Sequence, residues 1–211
     1  KLENFNVILA NEIEKDISIA YKMNYPDVKM LNCDISDITE EVLLSSLQGE
    51  KVDIIIGGPP CQSYSTLGKR KMDKRAKLFI EYKRILKILK PQVFIFENVV
   101  GILSMDKGNL FKEIQKEFEE LGYSLKYKVL NAVDYGVPQY RERVFLVGIN
   151  GENNFNYPSP THGENLKNYV SLKDAIGDLP ILKSGQKKDF YEKNISNGFL
   201  DFVRKDENNI L

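Results

Sequence analysis

Val52-Asp53-Ile54-Ile55-Ile56-Gly57-Gly58-Pro59-Pro60-Cys61-Gln62 is the stretch that decides the fold. Its opening is apolar and β-branched apart from Asp53, the composition of a strand buried on both faces, and the glycine pair stops it. Two prolines then fix the backbone and hold the following cysteine at a set position. A strand buried this deeply needs covering layers, so the flanking sequence should supply helices.

Reading outward meets that need. Upstream, Val7-Ile8-Leu9-Ala10 is a short apolar run, and a helical pattern follows with Ile13, Ile17, Ala20 and Tyr21 on one side. Lys29-Met30-Leu31-Asn32-Cys33 reads as a weaker strand. Asp37, with Glu40 three residues on, resembles a capping box opening a helix through Val42, Leu43 and Leu47. Downstream, Leu78, Phe79, Tyr82, Ile85, Leu86 and Leu89 recur at helical spacing, which predicts a helix over Ala76–Leu89 stopped before Pro91. Gln92–Phe96 is a further apolar strand. Leu110, Phe111, Ile114, Phe118 and Leu121 form one face of a helix that should end at Gly122. Strands near Tyr127–Leu130 and Val144–Gly148 bracket a Gly-Val-Pro loop. Strand and helix alternate throughout, so the expected class is α/β, a mostly parallel sheet with helices on both faces. After Asn150 apolar periodicity fades except over Val170–Leu182. The expected division is therefore residues 1–150 as one domain and 151–211 as an irregular extension.

Composition narrows the function. The 211 residues hold 30 Lys+Arg against 30 Asp+Glu, 42% hydrophobic and 28% charged, the balance of a chain that buries a core. No apolar run reaches the roughly 18 residues of a membrane span, and the opening Lys1-Leu2-Glu3 is no basic-then-apolar leader. Cys33 and Cys61 make no disulfide framework, which points to a reducing cytoplasm. Zero net charge still conceals a local excess. Leu67–Lys90 carries ten basic residues against Asp73 and Glu81, a net of +8, which reads either as a solvated helix face or as a phosphate-contacting stripe.

Catalytic groups in open α/β sheets collect at the carboxyl ends of strands. Three segments are expected there: Pro59-Pro60-Cys61-Gln62, then Phe96-Glu97-Asn98-Val99, then Gln139-Tyr140-Arg141-Glu142-Arg143. Cys61 stands in a rigid setting unlike that of Cys33, which sits in an apolar run. Glu97 is a carboxylate where a strand ends. Arg141 and Arg143 are two apart, so an extended chain would point both guanidinium groups to one side, suited to a carboxylate, a phosphate or a polar base edge.

Together, Pro-Pro-Cys-Gln, Glu-Asn-Val and Gln-x-Arg-x-Arg, in this order, resemble the bacterial-type DNA cytosine-carbon-5 methyltransferase family, from residue 1 to about Pro180. The resemblance implies a Rossmann-like S-adenosylmethionine-dependent methyltransferase fold. It implies that Cys61 adds to carbon 6 of a cytosine flipped out of double-stranded DNA, with Glu97 at N3, Arg141 on the base oxygen and Arg143 supporting the site. It also implies that Glu12 and Asp34 hold the ribose and adenine of the cofactor, with Ile13, Ile35, Pro60 and Leu78 lining its pocket. The loop after Cys61 would meet DNA through Gln62, Ser63, Ser65, Lys69, Arg70 and Lys71. His162, in Pro160-Thr161-His162, belongs to a segment that often follows in the family.

Two departures qualify the expectation. Nothing before Val7 matches the family's first strand and Phe-x-Gly-x-Gly turn, which cradles the methionine end of the cofactor. No target-recognition domain is recognisable either. The first strand normally lies between those at Val7 and Val52, so this chain alone is expected to be inactive, with a second polypeptide or a longer gene product supplying the missing parts. The leading reading is the modification arm of a restriction-modification system, acting on nucleoid DNA in the bacterial cytoplasm. RNA as substrate, and a non-catalytic DNA-binding fragment, remain open alternatives.

Overall fold

The computed structural model describes residues 5–60, 76–152, 154–188 and 197–204. The chain divides into two compact units, the first reaching Lys128 and resuming over Val144–Phe155, the second comprising Val129–Arg143 and the chain from Asn156 onward.

In the first unit, β1 (Leu9–Asn11) pairs in parallel with β2 (Lys29–Leu31), and α1 (Lys15–Asn24) connects them. After α2 (Glu40–Leu47), β3 (Ile54–Gly57) pairs in parallel with β4 (Val93–Val99) through α3 (Ala76–Leu89). Then come α4 (Asn109–Glu119), β5 (Tyr123–Asn131) and β6 (Glu142–Asn150), and the larger sheet has the order β3-β4-β6-β5. The N–H of Asn150, ending β6, donates to the carbonyl of Gln92, just before β4, at 2.9 Å. Those two strands therefore run in opposite directions.

Among the described residues the strands form two sheets, one of two strands and one of four. Leu9 and Leu31 from the first, and Ile55 from the second, pack against one cluster of Ile38, Leu43 and Ile85.

The core lies where α3 and α4 cover β4. Phe94 and Phe96 are fully buried, two apart on one face of β4, and meet Phe118 of α4 at ring-centroid distances of 4.6 and 5.7 Å. Tyr82 of α3 stands edge-on to both phenylalanines. These offset and edge-on contacts are the geometry that ring quadrupoles favour.

Several local expectations need correction. The N-cap of α2 is Thr39, whose hydroxyl accepts from the Val42 N–H at 3.2 Å, while Asp37 belongs to a preceding turn of 3₁₀ helix. The residues grouped on one side of α1 are largely outward. Ile13 and Ile17 are exposed, and Ser18 is the buried residue of that helix. Strand β4 continues through Glu97 and Asn98 instead of ending at Phe96. The basic stripe is divided: on α3, Lys83 pairs with Glu117, and Arg84 bonds Glu81 at 2.6 Å and the Ile35 carbonyl at 2.9 Å. Those two charges hold the fold together.

The second unit contains α5 (Leu172–Ile176) and α6 (Gly198–Val203). Ser171 and Asp174 form a reciprocal capping box on α5. Asp178, 4% exposed, is held by Arg204, whose Nε and Nη2 donate to its two oxygens at 3.0 and 3.3 Å.

Candidate active site

Parallel pairing sets Gly57 opposite Phe96, so the turn leaving β3 runs beside the last residues of β4. The two glycines are needed for different neighbours. A Cβ on Gly57 would enter the ring of Tyr82, whose hydroxyl donates to the Ile95 carbonyl at 3.0 Å. Burial pushes the Tyr82 phenol far above its ordinary pKa, which keeps it a neutral donor. A Cβ on Gly58 would stand 2.7 Å from Glu97 Oε2 and 3.2 Å from the Glu97 carbonyl oxygen. Close approach of the backbone thus makes room for a carboxylate.

Asn98 fixes the next residue. It continues the inward face of Phe94 and Phe96 and is 5% exposed. Its Nδ2 donates to the Pro59 carbonyl at 2.8 Å, and its Oδ1 accepts from the Val99 N–H at 3.0 Å. A buried amide bonded on both ends stiffens what it holds. Glu97 and Asn98 therefore act on one turn, Gly57–Pro60, from opposite faces of β4. Asn98 has no role legible from its type alone, but it extends the period-two pattern of Phe94 and Phe96, which marks it as inward.

Cys61, Gln62, Ser63, Ser65, Lys69, Arg70 and Lys71 lie outside the described residues. What is described is the approach to Cys61: an exposed Pro60 directly after the anchored Pro59. Leu78 is half-buried in the first turn of α3.

The candidate nucleoside site lies at the ends of β1 and β2. Two asparagines cross-tie them. Asn11 Nδ2 donates to the carbonyls of Leu31 and Cys33, both at 2.9 Å, and Asn32 Nδ2 donates to those of Glu12 and Ile13 at 2.8 and 3.1 Å. Glu12 Oε1 accepts from the Glu14 N–H at 2.9 Å. Asp34 Oδ1 accepts from Ser36 N–H and hydroxyl at 2.9 and 2.8 Å. Two carboxylates, each oriented by a local backbone donor, beside the exposed Ile13, suit vicinal hydroxyls and a purine. These residues fit the nucleoside part of S-adenosylmethionine. Ile35 is partly buried against the Ile38–Leu43–Ile85 cluster.

Arg141 and Arg143 belong to the second unit, Arg143 at its last residue before Val144. Arg141 precedes β6 and is exposed, while Arg143 is half-buried and donates from Nη1 to the Glu142 carbonyl at 2.8 Å. The loop before them turns at Gly136, whose φ of +84° suits glycine. The His162 ring lies against that glycine, 2.6 Å from where a Cβ would stand, and the N–H groups of Thr161 and His162 both donate to the Asp134 carbonyl. His162 thus braces the loop. Among the described residues, no group of three His, Cys, Asp or Glu side chains could hold a metal ion, and no helix is long and apolar enough to cross a membrane.

Parallel β-α-β units with acidic residues at their strand ends, and a glycine-proline turn leading to a cysteine, define an α/β methyltransferase fold. It matches a solved DNA modification methyltransferase from an E. coli prophage with TM-score 0.76 at 25% identity, over 94% of this chain and 57% of that one. It also matches the S. pombe Dnmt2 methyltransferase with TM-score 0.59 at 19% identity, over 87% of this chain and 51% of that one. More particularly, residues 1–208 match the C-5 cytosine-specific DNA methylase family, and the chain belongs to it. Members use S-adenosylmethionine. Type II methyltransferase M.FnuDI of Fusobacterium nucleatum is 47% identical over 180 residues, 83% of this chain and 49% of that protein. M1.HphI of Haemophilus parahaemolyticus is 39% identical over 186 residues, 86% and 49% of the two chains. M.AquIA of a Picosynechococcus strain is 36% identical over 200 residues, 83% of this chain and 81% of that protein. The chain spans about half the length of most of the curated relatives it matches.

Proposed function

We propose that this chain carries the catalytic machinery for methylating carbon 5 of cytosine in double-stranded DNA, as the modification arm of a restriction-modification system in the bacterial cytoplasm. The observation that carries the reading is the Gly57–Pro60 turn, shaped around Glu97 and pinned by Asn98 immediately ahead of Cys61.

Carbon 5 of cytosine is a poor nucleophile. In this reading the Cys61 thiolate forms a bond to carbon 6 of a flipped-out cytosine, and the displaced electron pair moves through the ring toward N3. Glu97 donates a proton or hydrogen bond there. Arg141 holds the base oxygen and favours the thiolate, and Arg143 supports it. Carbon 5, now enamine-like, takes the methyl group, which S-adenosylmethionine supplies as an electrophile. Loss of the carbon 5 proton then expels the Cys61 thiolate. Glu12 and Asp34 would hold the ribose and adenine, with Ile13, Ile35, Pro60 and Leu78 as apolar lining. Gln62, Ser63, Ser65, Lys69, Arg70 and Lys71 would meet the DNA.

In the same reading, residues 1–150 form the catalytic portion and 151–211 the extension toward a target-recognition domain. The strand and glycine turn for the methionine end come from polypeptide outside the 211 residues. The break between the two sheets supports that part.

The test is covalent capture by DNA containing 5-fluorocytosine, in a preparation that also supplies the glycine turn. Fluorine does not leave as a proton does, so the adduct persists after methyl transfer. Cys33→Ser should form the adduct and Cys61→Ser should not. The opposite pattern refutes the assignment.

A further inference from the structure

Arg141 is held by a side chain where a strand ladder would ordinarily hold it. Asn131 ends β5, and Arg141 stands one residue before β6. The Ala132 N–H donates to the Arg141 carbonyl at 3.0 Å. In a continued antiparallel ladder the Ala132 carbonyl would accept the Arg141 N–H in return. That carbonyl is already taken by the N–H groups of Val137, at 3.3 Å, and Gly136. The Arg141 N–H donates instead to Asn131 Oδ1 at 3.0 Å, and the same oxygen lies 3.5 Å from the Val133 nitrogen.

One side-chain oxygen thus replaces the missing rung, letting residues 132–140 leave the ladder while Arg141 stays in register. Aspartate, the other short acceptor, would place a negative charge beside the arginine. The amide accepts without doing so.

We propose that Asn131 is a positioning residue for Arg141: its Oδ1 fixes the main chain that carries the guanidinium. The inference rests on the role given to Arg141 above. Arg141 is exposed, so water would satisfy its N–H if Asn131 were truncated. The loss should therefore fall on position far more than on stability, which separates this role from a merely structural one.

The experiment is the pH dependence of Cys61 alkylation by iodoacetamide on the full 211-residue chain, in a Cys33→Ser background that leaves one thiol. It needs neither DNA nor methyl donor. Arg141→Ala should raise the apparent thiol pKa by about one unit, as loss of a nearby cation does. Asn131→Ala should raise it by at least half as much, with the melting temperature within a few degrees of the parent and faster amide exchange at Arg141. Added to Arg141→Ala, Asn131→Ala should give no further shift, because it acts only through that side chain. Asn131→Gln, which carries the acceptor one methylene further out, covers an alanine variant that does not fold and should shift the profile similarly. Additive shifts, or an Asn131→Ala profile that matches the parent while Arg141→Ala is displaced, would overturn the positioning role alone. An undisplaced Arg141→Ala would overturn the reading of Arg141, and the inference with it.

Discussion

Replacing Gly58 with alanine tests whether the turn is built around Glu97. The added Cβ would lie 2.7 Å from Oε2 and 3.2 Å from the Glu97 carbonyl oxygen. Ordinary carbon–oxygen contacts begin near ~3.3 Å, so the carboxylate must retreat by roughly 0.6 Å and the backbone by about a tenth. The carboxylate is the end of a flexible side chain, so the stability cost should sit at the low end of overpacking, about 1 kcal/mol. That corresponds to a melting shift of about 2–4 °C at this chain length. The chemical cost should be larger. If about 1 Å of misplacement costs about a hundredfold, 0.6 Å costs on the order of tenfold. A suitable assay is release of tritium from DNA carrying cytosine labelled at carbon 5. Thiol addition, protonation at carbon 5 and reversal exchange that hydrogen without a methyl donor. Gly101→Ala serves as control, since a Cβ there meets nothing within 4 Å. Gly58→Ala releasing tritium at the parental rate would refute the argument, as would a rate loss fully matched by unfolding.

Two other perturbations follow. Replacing Lys69, Arg70 and Lys71 with alanine should weaken binding to all DNA sequences alike and reduce the log-log salt slope by about 0.9 per lost phosphate contact, and an unchanged slope in a filter-binding titration would return them to the solvated-face reading. The α5 capping box should be pH-dependent with a definite sign. Hydrogen bonds from the Ser171 side chain and backbone hold the Asp174 carboxyl below its ordinary pKa. Its stabilisation is therefore present above the ordinary carboxylate pKa and lost as the pH falls through the lowered one. Protection of the Ser171 amide, taken relative to its intrinsic exchange rate, should fall on acidification, and Asp174→Asn should remove that dependence; an acid response unaltered by the substitution would contradict the cap.

Legibility followed the strength of the local pattern. Helix α3 spans the residues its apolar spacing and Pro91 delimit, because a 3.6-residue stripe fourteen residues long has no competing interpretation. The end of strand β4 is hidden in sequence because Glu97 and Asn98 are polar, and polarity does not show that an amide will be buried against a neighbouring turn. Thr39 and Asp37 are competing capping signals that differ only in where the helix starts, the least determinate feature of a sequence. The outward apolar residues of α1 could not be foreseen, because periodicity gives a stripe but not what covers it. Asn131 carried no signal at all. Its role depends on which carbonyls the intervening turn consumes, a fact of tertiary geometry.

Tyr82 has a use beyond packing. The protein has no tryptophan, so its near-ultraviolet spectrum belongs to its 11 tyrosines. Tyr82, on α3 against Gly57 with its hydroxyl donating to the Ile95 carbonyl, should form a phenolate only after that contact is released. Burial raises the Tyr123 phenol as well, so the part of a late step in an alkaline absorbance titration that Tyr82→Phe removes would act as an optical gauge of the turn ahead of Cys61, readable without label, substrate or cofactor.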